Sequence, residues 1–202
     1  MTTPADLLTR ELRRDGSRPF ITWYGAAAGE RVELSLATTA NWVAKIAGYV
    51  EDELDTYADQ PIVIDPALHW ISAVAVLAIW SAGAEVSTDP TAEGERLELP
   101  LDPMGMGLSR LVAAYPDSYS PVAPSGSDEV SAVAGAVPEG ARVLTALPLT
   151  ASGMVLGLLG PLAAGGSVVY SLADAAGLTD RATAERVTHT AGLDVPGLPR
   201  LG

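Results

Sequence analysis

Few residues in this chain have side chains suited to acid–base, nucleophilic or metal chemistry. It contains no cysteine and two histidines, His69 and His189, which excludes thiolate nucleophiles and cysteine-built zinc sites. Asp65 lies four residues before His69, a spacing that would allow acid–base work. A histidine that caps a helix is the commoner case at such a position. We therefore predict that His69 caps a helix, that His189 opens a strand, and that neither binds a metal ion.

Lys45 is the only lysine among the 12 basic residues, the rest being arginines. It stands between Ala44 and Ile46, on the flank of an apolar stripe with helical spacing, so we expect a solvated or snorkelling side chain. The chain has no Gly-Lys pair for a P-loop and no Gly-x-Ser-x-Gly turn, and 105–107 lacks the third glycine of a dinucleotide-binding turn. These motifs predict no catalytic residue and no bound cofactor.

The charge balance is strongly acidic, with 25 acidic and 12 basic residues and a net charge of −13. Such a chain repels nucleic-acid phosphates and anionic lipid headgroups, so we expect no nucleic-acid partner. The acidic run Glu51–Asp59 is interpreted as a solvated surface rather than a cation site. The first residues carry charges and lack the apolar core of a secretion signal, which, with the absence of cysteine, predicts a cytoplasmic protein.

A stretch without any charged side chain separates Arg142 from Asp174. It is long enough to cross a bilayer, but prolines and glycines divide it, and neither flank has the basic cluster typical of a membrane protein. We interpret it, like the apolar run 67–84, as protein core and expect no membrane association. The divisions predict a strand at 142–147, a helix at 153–164 and a strand at 167–171.

Three glycines in that predicted helix, Gly153, Gly157 and Gly160, are spaced four and three residues apart. This spacing predicts that they share one face of the helix. Residues without a side chain on one face allow a neighbouring backbone to come close. We therefore expect tight core packing along this face.

The remaining elements follow one another in an order typical of α/β proteins. Strand, helix and strand in immediate succession form a βαβ unit, whose strands lie parallel with a right-handed crossover. Two such units predict the α/β class, as a layered domain with a central, largely parallel sheet. The expected order before Arg142 is a helix from Thr3 to Gly16, a hairpin of strands 20–24 and 31–34, a helix capped by Ser35, strand 62–65, helix 68–81 and strand 85–88.

The domain organisation is predicted to be simple. We assign residues 1–202 to a single α/β domain, because no clear linker or internal repeat interrupts the chain. Within it, 91–139 is expected to be an irregular, loop-rich segment and 192–202 a C-terminal tail.

Three stretches resemble the adenylate-forming enzymes, which include acyl-CoA synthetases, luciferases and the adenylation domains of peptide synthetases. They are "ELSLATTANWVAKIAGYVEDEL", "PIVIDPALHWISAVAVLAIWSAGAEVSTDP" and "RVLTALPLTASGMVLGLLGPLAAGGSVV". The resemblance covers 6–89 and 142–190, in the family's order. The chain is most similar to short actinobacterial proteins that are related to the N-terminal lobe of these enzymes and have no assigned reaction. It is therefore identified as a truncated relative of that lobe.

The chain departs from the family where ATP is bound. The resemblance implies a Ser/Thr/Gly-rich loop ending in Pro-Lys-Gly, which offsets phosphate charge, but Asp128 and Glu129 stand in that region. The family's Leu-Pro-Leu segment is retained at 147–149, while its aromatic-His pair is replaced by Thr150 and Ala151. The sequence ends before the family's adenine-binding segments and C-terminal domain, which we expect to be missing.

The resemblance therefore implies a non-catalytic, acyl-CoA synthetase-like protein that acts in binding or protein interaction. If an acyl pocket is kept, the family's geometry implies a lining of Thr150, Ser152, Gly153 and Met154. We also expect apolar surface uncovered by truncation to hold a protein partner or a second copy as a homodimer. The alternative is a weak nucleotide- or acyl-CoA-binding protein, or an enzyme with residual ligase activity.

Overall fold

A computed structural model of the chain describes residues 1–27, 29–54, 60–172 and 177–202. Within these ranges the chain alternates between helices and short strands. The helices are α1 (Pro4–Asp15), α2 (Leu36–Glu53), α3 (Trp70–Ser81), α4 (Met106–Leu111), α5 (Ser127–Ala132), α6 (Ala151–Met154), a π-helical turn (Val155–Leu159), α7 (Gly160–Ala163) and α8 (Leu178–Ala184). The strands are β1 (Pro19–Tyr24), β2 (Arg31–Ser35), β3 (Ile62–Val63), β4 (Val86–Ser87), β5 (Arg142–Thr145), β6 (Ser167–Tyr170), β7 (His189–Ala191) and β8 (Arg200–Leu201).

The central sheet has six strands in the order β2-β1-β6-β5-β7-β8. Only the hairpin of β1 and β2 is antiparallel, and every other pairing in the sheet is parallel. In the register, Val143 of β5 pairs with Val168 of β6, and Val168 also pairs with Ile21 of β1. The predicted α/β class with a largely parallel sheet is confirmed.

The first predicted βαβ unit forms, but in a second sheet. β3 and β4 are parallel neighbours, with Ile62 opposite Val86, and α3 connects them. All twelve residues of α3 are buried, because the helix has no polar face to turn toward water. The interpretation of this apolar run as core is confirmed. Among the described residues, no helix is both long and apolar enough to cross a membrane.

The core lies mainly on one face of the central sheet. Val168 and Tyr170 of β6 pack there with helices α1, α2 and α3. Val169 points to the opposite face, because side chains alternate along a strand, and it packs with Leu144, Ala182 and the residues after α8. The two faces therefore have separate apolar clusters, of which the first is much larger.

Helix starts follow their sequence signals closely. Thr3 caps α1 in a capping box with Asp6, each side chain bonded to the other's backbone N–H. Ser35 caps α2 by accepting from the Thr38 N–H at 3.1 Å. Gly16 follows the end of α1, as predicted.

Two of the predicted loop regions contain regular structure. The tail assigned to 192–202 contains β8, which pairs with β7 as the edge strand of the central sheet. The segment 91–139 contains α4 and α5. Of the acidic run Glu51–Asp59, residues 51–53 are exposed, and 55–59 lie outside the described residues.

Candidate functional site

The segment predicted to line an acyl pocket follows β5 at its carboxyl end. Leu149 is buried, and its N–H donates to the Pro66 carbonyl at 2.8 Å, which ties this segment to the loop before α3. Thr150 and Ser152 are exposed, and Met154 is half-buried. Side chains at these three positions are therefore available to a ligand at the surface, and their role remains a prediction.

Gly153, the fourth residue of this set, is buried for a packing reason. A Cβ at Gly153 would lie 1.8 Å from the Pro148 carbonyl oxygen, so only glycine lets α6 pass this carbonyl. Gly157 instead faces Thr145 of β5, and Gly160 faces Val137. The three glycines thus meet three different neighbours, and the shared face remains a prediction. The π-helical turn between Gly153 and Gly160 changes the angular spacing on which that prediction rested.

Substitution of Gly153 by alanine is expected to lower the free energy of unfolding by about 1–3 kcal/mol, because the new methyl group overlaps a backbone oxygen. Gly157→Ala is the matched control, since its Cβ would lie 3.2 Å from the Thr145 Cγ2 atom, a contact that small shifts relieve. Urea unfolding of both variants measures the difference. Equal effects at the two positions would contradict the packing role of Gly153.

Lys45 is held by the loop after α4. Its Nζ donates to the Tyr115 carbonyl oxygen at 2.7 Å and forms an ion pair with Asp117 Oδ1 at 2.8 Å. Only 26% of the side chain is exposed, while its partner Asp117 is 64% exposed. Of the two alternatives predicted, solvated or snorkelling, this agrees with the snorkelling side chain. The sequence neighbours of Lys45 gave no sign of this contact, because its partners lie 70 and 72 residues further along. The single lysine of the chain is thus used to attach a loop to α2.

The region where the resemblance implies a phosphate-binding loop is negative. No lysine or arginine occurs between Arg110 and Arg142, and Asp128 and Glu129 occupy the first turn of α5. Nearby, burial raises the pKa of the Glu85 carboxyl, and the charges of Glu129 and Asp128 raise it further. Burial is the larger cause, and the smaller contribution of Glu129 and Asp128 shows that their negative charges act on this region. These charges oppose the binding of a polyphosphate.

Arg142 and Glu185 form the centre of a polar network on the smaller apolar face of the sheet. Arg142 Nη2 lies 2.5 Å from Glu185 Oε2, and the same guanidinium donates to Thr22 and Ser167. Glu185 Oε1 accepts from Arg31 Nε at 2.9 Å and from the Tyr24 hydroxyl at 2.5 Å. The network joins β1, β2 and β5 to the end of α8.

The hydrogen bonds of this network lower the pKa of Glu185. Burial raises the pKa of its carboxyl, but hydrogen bonds from Arg31, Tyr24 and Arg142 outweigh burial and lower the pKa to about 2. The carboxylate is therefore charged at every physiological pH. Glu185 pairs with both arginines, although the buried Nε of Arg142 has no hydrogen-bond partner among the described residues. The pairing makes this a structural cluster rather than an open anion site. The contributing residues come from five separate elements, so the sequence carries no local signal for it.

The two histidines have the positions predicted for them. His69 caps α3, its Nδ1 accepting from the Ile71 N–H at 3.1 Å, and its ring centroid lies 4.4 Å from that of Trp23. Burial lowers the pKa of His69 to about 4, although Asp102 and Glu30 act in the opposite direction. His189 is the first residue of β7. Within the described ranges, no three His, Asp or Glu side chains are grouped so that they could hold a metal ion.

Comparison of this geometry with known proteins gives clear likenesses of fold. The ATP-bound structure of MatB from Rhodopseudomonas palustris superposes with a TM-score of 0.70 at 17% identity, over 93% of this chain and 49% of that one. The N-terminal domain of FACL13 from Mycobacterium tuberculosis gives 0.71 at 11% identity, over 95% and 63%. The chain has the fold of the N-terminal lobe of acyl-CoA synthetase-like enzymes. The resemblance drawn from its three sequence stretches is confirmed.

The sequence match covers a smaller part of the chain than the structural matches do. A "TIGR03089 family protein" of Mycobacterium tuberculosis (strain ATCC 25618 / H37Rv) is 40% identical over 93 residues, which are 44% of this chain and 38% of that protein. A fatty acyl-adenylate ligase from L. pneumophila has a TM-score of 0.64 at 10% identity, over 94% of this chain and 44% of the ligase. No protein-family profile matches the chain. The chain thus spans less than two thirds of each of these proteins.

Proposed function

We propose that this acyl-CoA synthetase-like chain is a non-catalytic protein that binds a ligand or a protein partner and does not activate carboxylic acids with ATP. The observation that carries the proposal is the state of Lys45, the only lysine, which is bonded to Tyr115 and Asp117. Adenylation requires fixed positive groups on the phosphates, and removal of one such contact costs about 3–4 kcal/mol of transition-state stabilisation.

The arginine that follows this region in the sequence supports the same conclusion. Arg142 is bonded to Glu185, Thr22 and Ser167, and its side chain is only 15% exposed. To bind a phosphate it would have to leave a buried carboxylate without its partner, which is strongly unfavourable. The acidic residues of α5 add repulsion to this cost.

The decisive experiment is an assay of pyrophosphate release. The purified chain, given ATP, magnesium and a panel of short- and long-chain carboxylic acids, is expected to release no pyrophosphate above the buffer level, while an acyl-CoA synthetase does so in parallel. Thermal unfolding with ATP and magnesium is expected to show no stabilisation. Pyrophosphate release that depends on both ATP and an acid would overturn the proposal in favour of a residual ligase.

The ligand-binding form of the proposal places an acyl group against Thr150, Ser152 and Met154. Ser152 is exposed, so tryptophan there blocks the surface without disturbing the core. Any stabilisation by acyl-CoA in thermal unfolding is expected to disappear in Ser152→Trp and persist in Ser109→Trp, an exposed serine on α4. Absence of stabilisation in the unchanged chain would leave the protein-interaction form alone.

The protein-interaction form needs exposed apolar surface. Met104 and Met106 are 75% and 59% exposed, and both border a cleft of about 450 Å³ beside β2. Methionines at surfaces adapt to apolar partners of varied shape. If a homodimer forms through them, the double change Met104→Ser and Met106→Ser weakens it in sedimentation velocity measurements, and the exposed Val122→Ser change does not.

A further inference from the structure

A second cleft lies at the small sheet, outside the carboxyl ends of its strands. Besides β4, β3 has a second parallel neighbour, the segment 95–97. The Val63 N–H donates to the Glu95 carbonyl at 2.8 Å, and the Leu97 N–H donates to the Val63 carbonyl at 3.0 Å, with Arg96 opposite Val63. β3 is therefore the middle of three parallel segments.

The chain leaves β3 in one direction and returns on its other side. From β3 it passes through α3 to β4, and from β4 it crosses to 95–97. Where connections diverge in this way, a crevice forms at the carboxyl ends of the strands, and ligands of open α/β sheets bind there. A cleft of about 600 Å³ occupies this place, within the size range of small-molecule sites.

The cleft has an apolar floor and three charged groups. Ile64, Leu97 and other aliphatic side chains form the floor, and Asp65, Arg96 and Glu98 contribute the charges. The two carboxylates outnumber the guanidinium, so a phosphate or a simple anion is disfavoured. A bare cation is opposed by Arg96.

Arg96 links the two walls of the cleft. Its Nη2 donates to the Pro90 carbonyl at 2.6 Å, and both residues line the cleft. The guanidinium makes no ion pair with the described residues. An arginine bonded to a single carbonyl keeps donors in the planar arrangement that matches a carboxylate.

We propose that this cleft binds a small zwitterion with an aliphatic body, such as an aliphatic amino acid. Arg96 takes the carboxylate, Asp65 or Glu98 takes the ammonium group, and the hydrocarbon part covers Ile64 and Leu97. Only a ligand with both charges pairs with Arg96 and with a carboxylate of the cleft at the same time. The inference does not depend on the proposed function, because it involves neither Lys45 nor the segment after β5 beyond the backbone contact at Pro66.

Three probes with one aliphatic body test this assignment: leucine, isovalerate, which has only the carboxylate, and isopentylamine, which has only the ammonium group. Ligand-detected NMR titration is expected to show saturable binding of leucine and binding at least about tenfold weaker for the other two, since a hydrogen bond to a charged group contributes about 1.5–3 kcal/mol. Equal binding of leucine and either single-charge probe would overturn the zwitterion assignment.

Variants then locate the site. Arg96→Gln, and the double change Asp65→Asn with Glu98→Gln, are each expected to weaken leucine binding about tenfold or more, while Arg110→Gln, an exposed arginine on α4 outside the cleft, leaves it unchanged. Circular dichroism confirms that each variant is folded. No saturable binding of leucine, or binding that survives Arg96→Gln, would overturn the proposal. Neither result bears on pyrophosphate release, so the two proposals fail separately.

Discussion

Substitution of Glu185 by glutamine is expected to lower the free energy of unfolding by about 3–5 kcal/mol, measured by urea unfolding at pH 7. Glutamine has nearly the same shape, so no cavity forms. The change removes the one carboxylate that serves both Arg142 and Arg31, and it leaves Arg142 charged with a side chain only 15% exposed. A buried charge without its partner is among the most costly defects in a folded protein.

The matched control for this prediction is Glu33→Gln. Glu33 also pairs with Arg31, at 2.6 Å, but both side chains of that pair are more than a third exposed. Exposed pairs contribute about 0–1 kcal/mol because water and salt screen them. Similar losses in the two variants would contradict the central role of Glu185.

The same network predicts how stability changes in acid. The pKa of Glu185 is about 2 in the folded chain, below the ordinary value of 4.5. The folded state therefore resists protonation that the unfolded state accepts, so the contribution of this carboxylate is complete above pH 4.5 and is lost as the pH falls toward 2. Glu185→Gln removes the group and is expected to flatten this part of the stability curve.

His69 is expected to weaken the fold in a different pH range. Its pKa is about 4 in the folded chain against 6.5 for an ordinary histidine, because the ring is buried beside Trp23. Between pH 6.5 and pH 4 the unfolded chain binds a proton that the folded chain does not, so stability falls as the pH is lowered. The full difference amounts to about 3 kcal/mol, since one pKa unit corresponds to about 1.4 kcal/mol.

His69→Asn tests this prediction, because asparagine also caps a helix and does not titrate. Urea unfolding at several pH values between 7 and 4 is expected to give a shallower decline for the variant than for the unchanged chain. The slope, rather than the absolute stability, is the informative quantity, since loss of the ring also changes the packing against Trp23. Parallel slopes would show that His69 accepts a proton as readily in the folded chain as in the unfolded one.

Local elements of this fold could be predicted because their signals are local. The side chains of Thr3 and Ser35 accept hydrogen bonds from N–H groups three residues away. A few neighbouring residues therefore determine where these helices begin. The burial of α3 follows from its uninterrupted apolar composition. The order of strand, helix and strand in each βαβ unit then defines the parallel pairing within that unit.

Long-range contacts could not be predicted in the same way. Lys45 has the neighbours of a surface lysine, and only the folded chain brings Tyr115 and Asp117 to it. Arg142 and Glu185 are 43 residues apart, and nothing between them indicates a pair. β8 has two residues, too few for alternation to be recognised.

The candidate acyl site is a prediction that rests only on the family resemblance. Pro148 and Leu149 match the family's segment, but the packing of Gly153 against the Pro148 carbonyl depends on the path of the backbone through the turn. The cleft beside Arg96 carries no motif at all. It arises because 95–97 pairs with β3 and so extends the small sheet. The sequence around these three residues predicts a loop.

The placement of β1 in the central sheet affects how the protein is made. β1 leaves the ribosome early, but the strand that pairs with its inner edge, β6, is synthesised after residue 166. During the interval, the unpaired backbone groups of Phe20–Tyr24 are open to strands of other chains. Nascent chains halted before β6 should therefore aggregate or recruit chaperones, whereas chains completed through β8 should not.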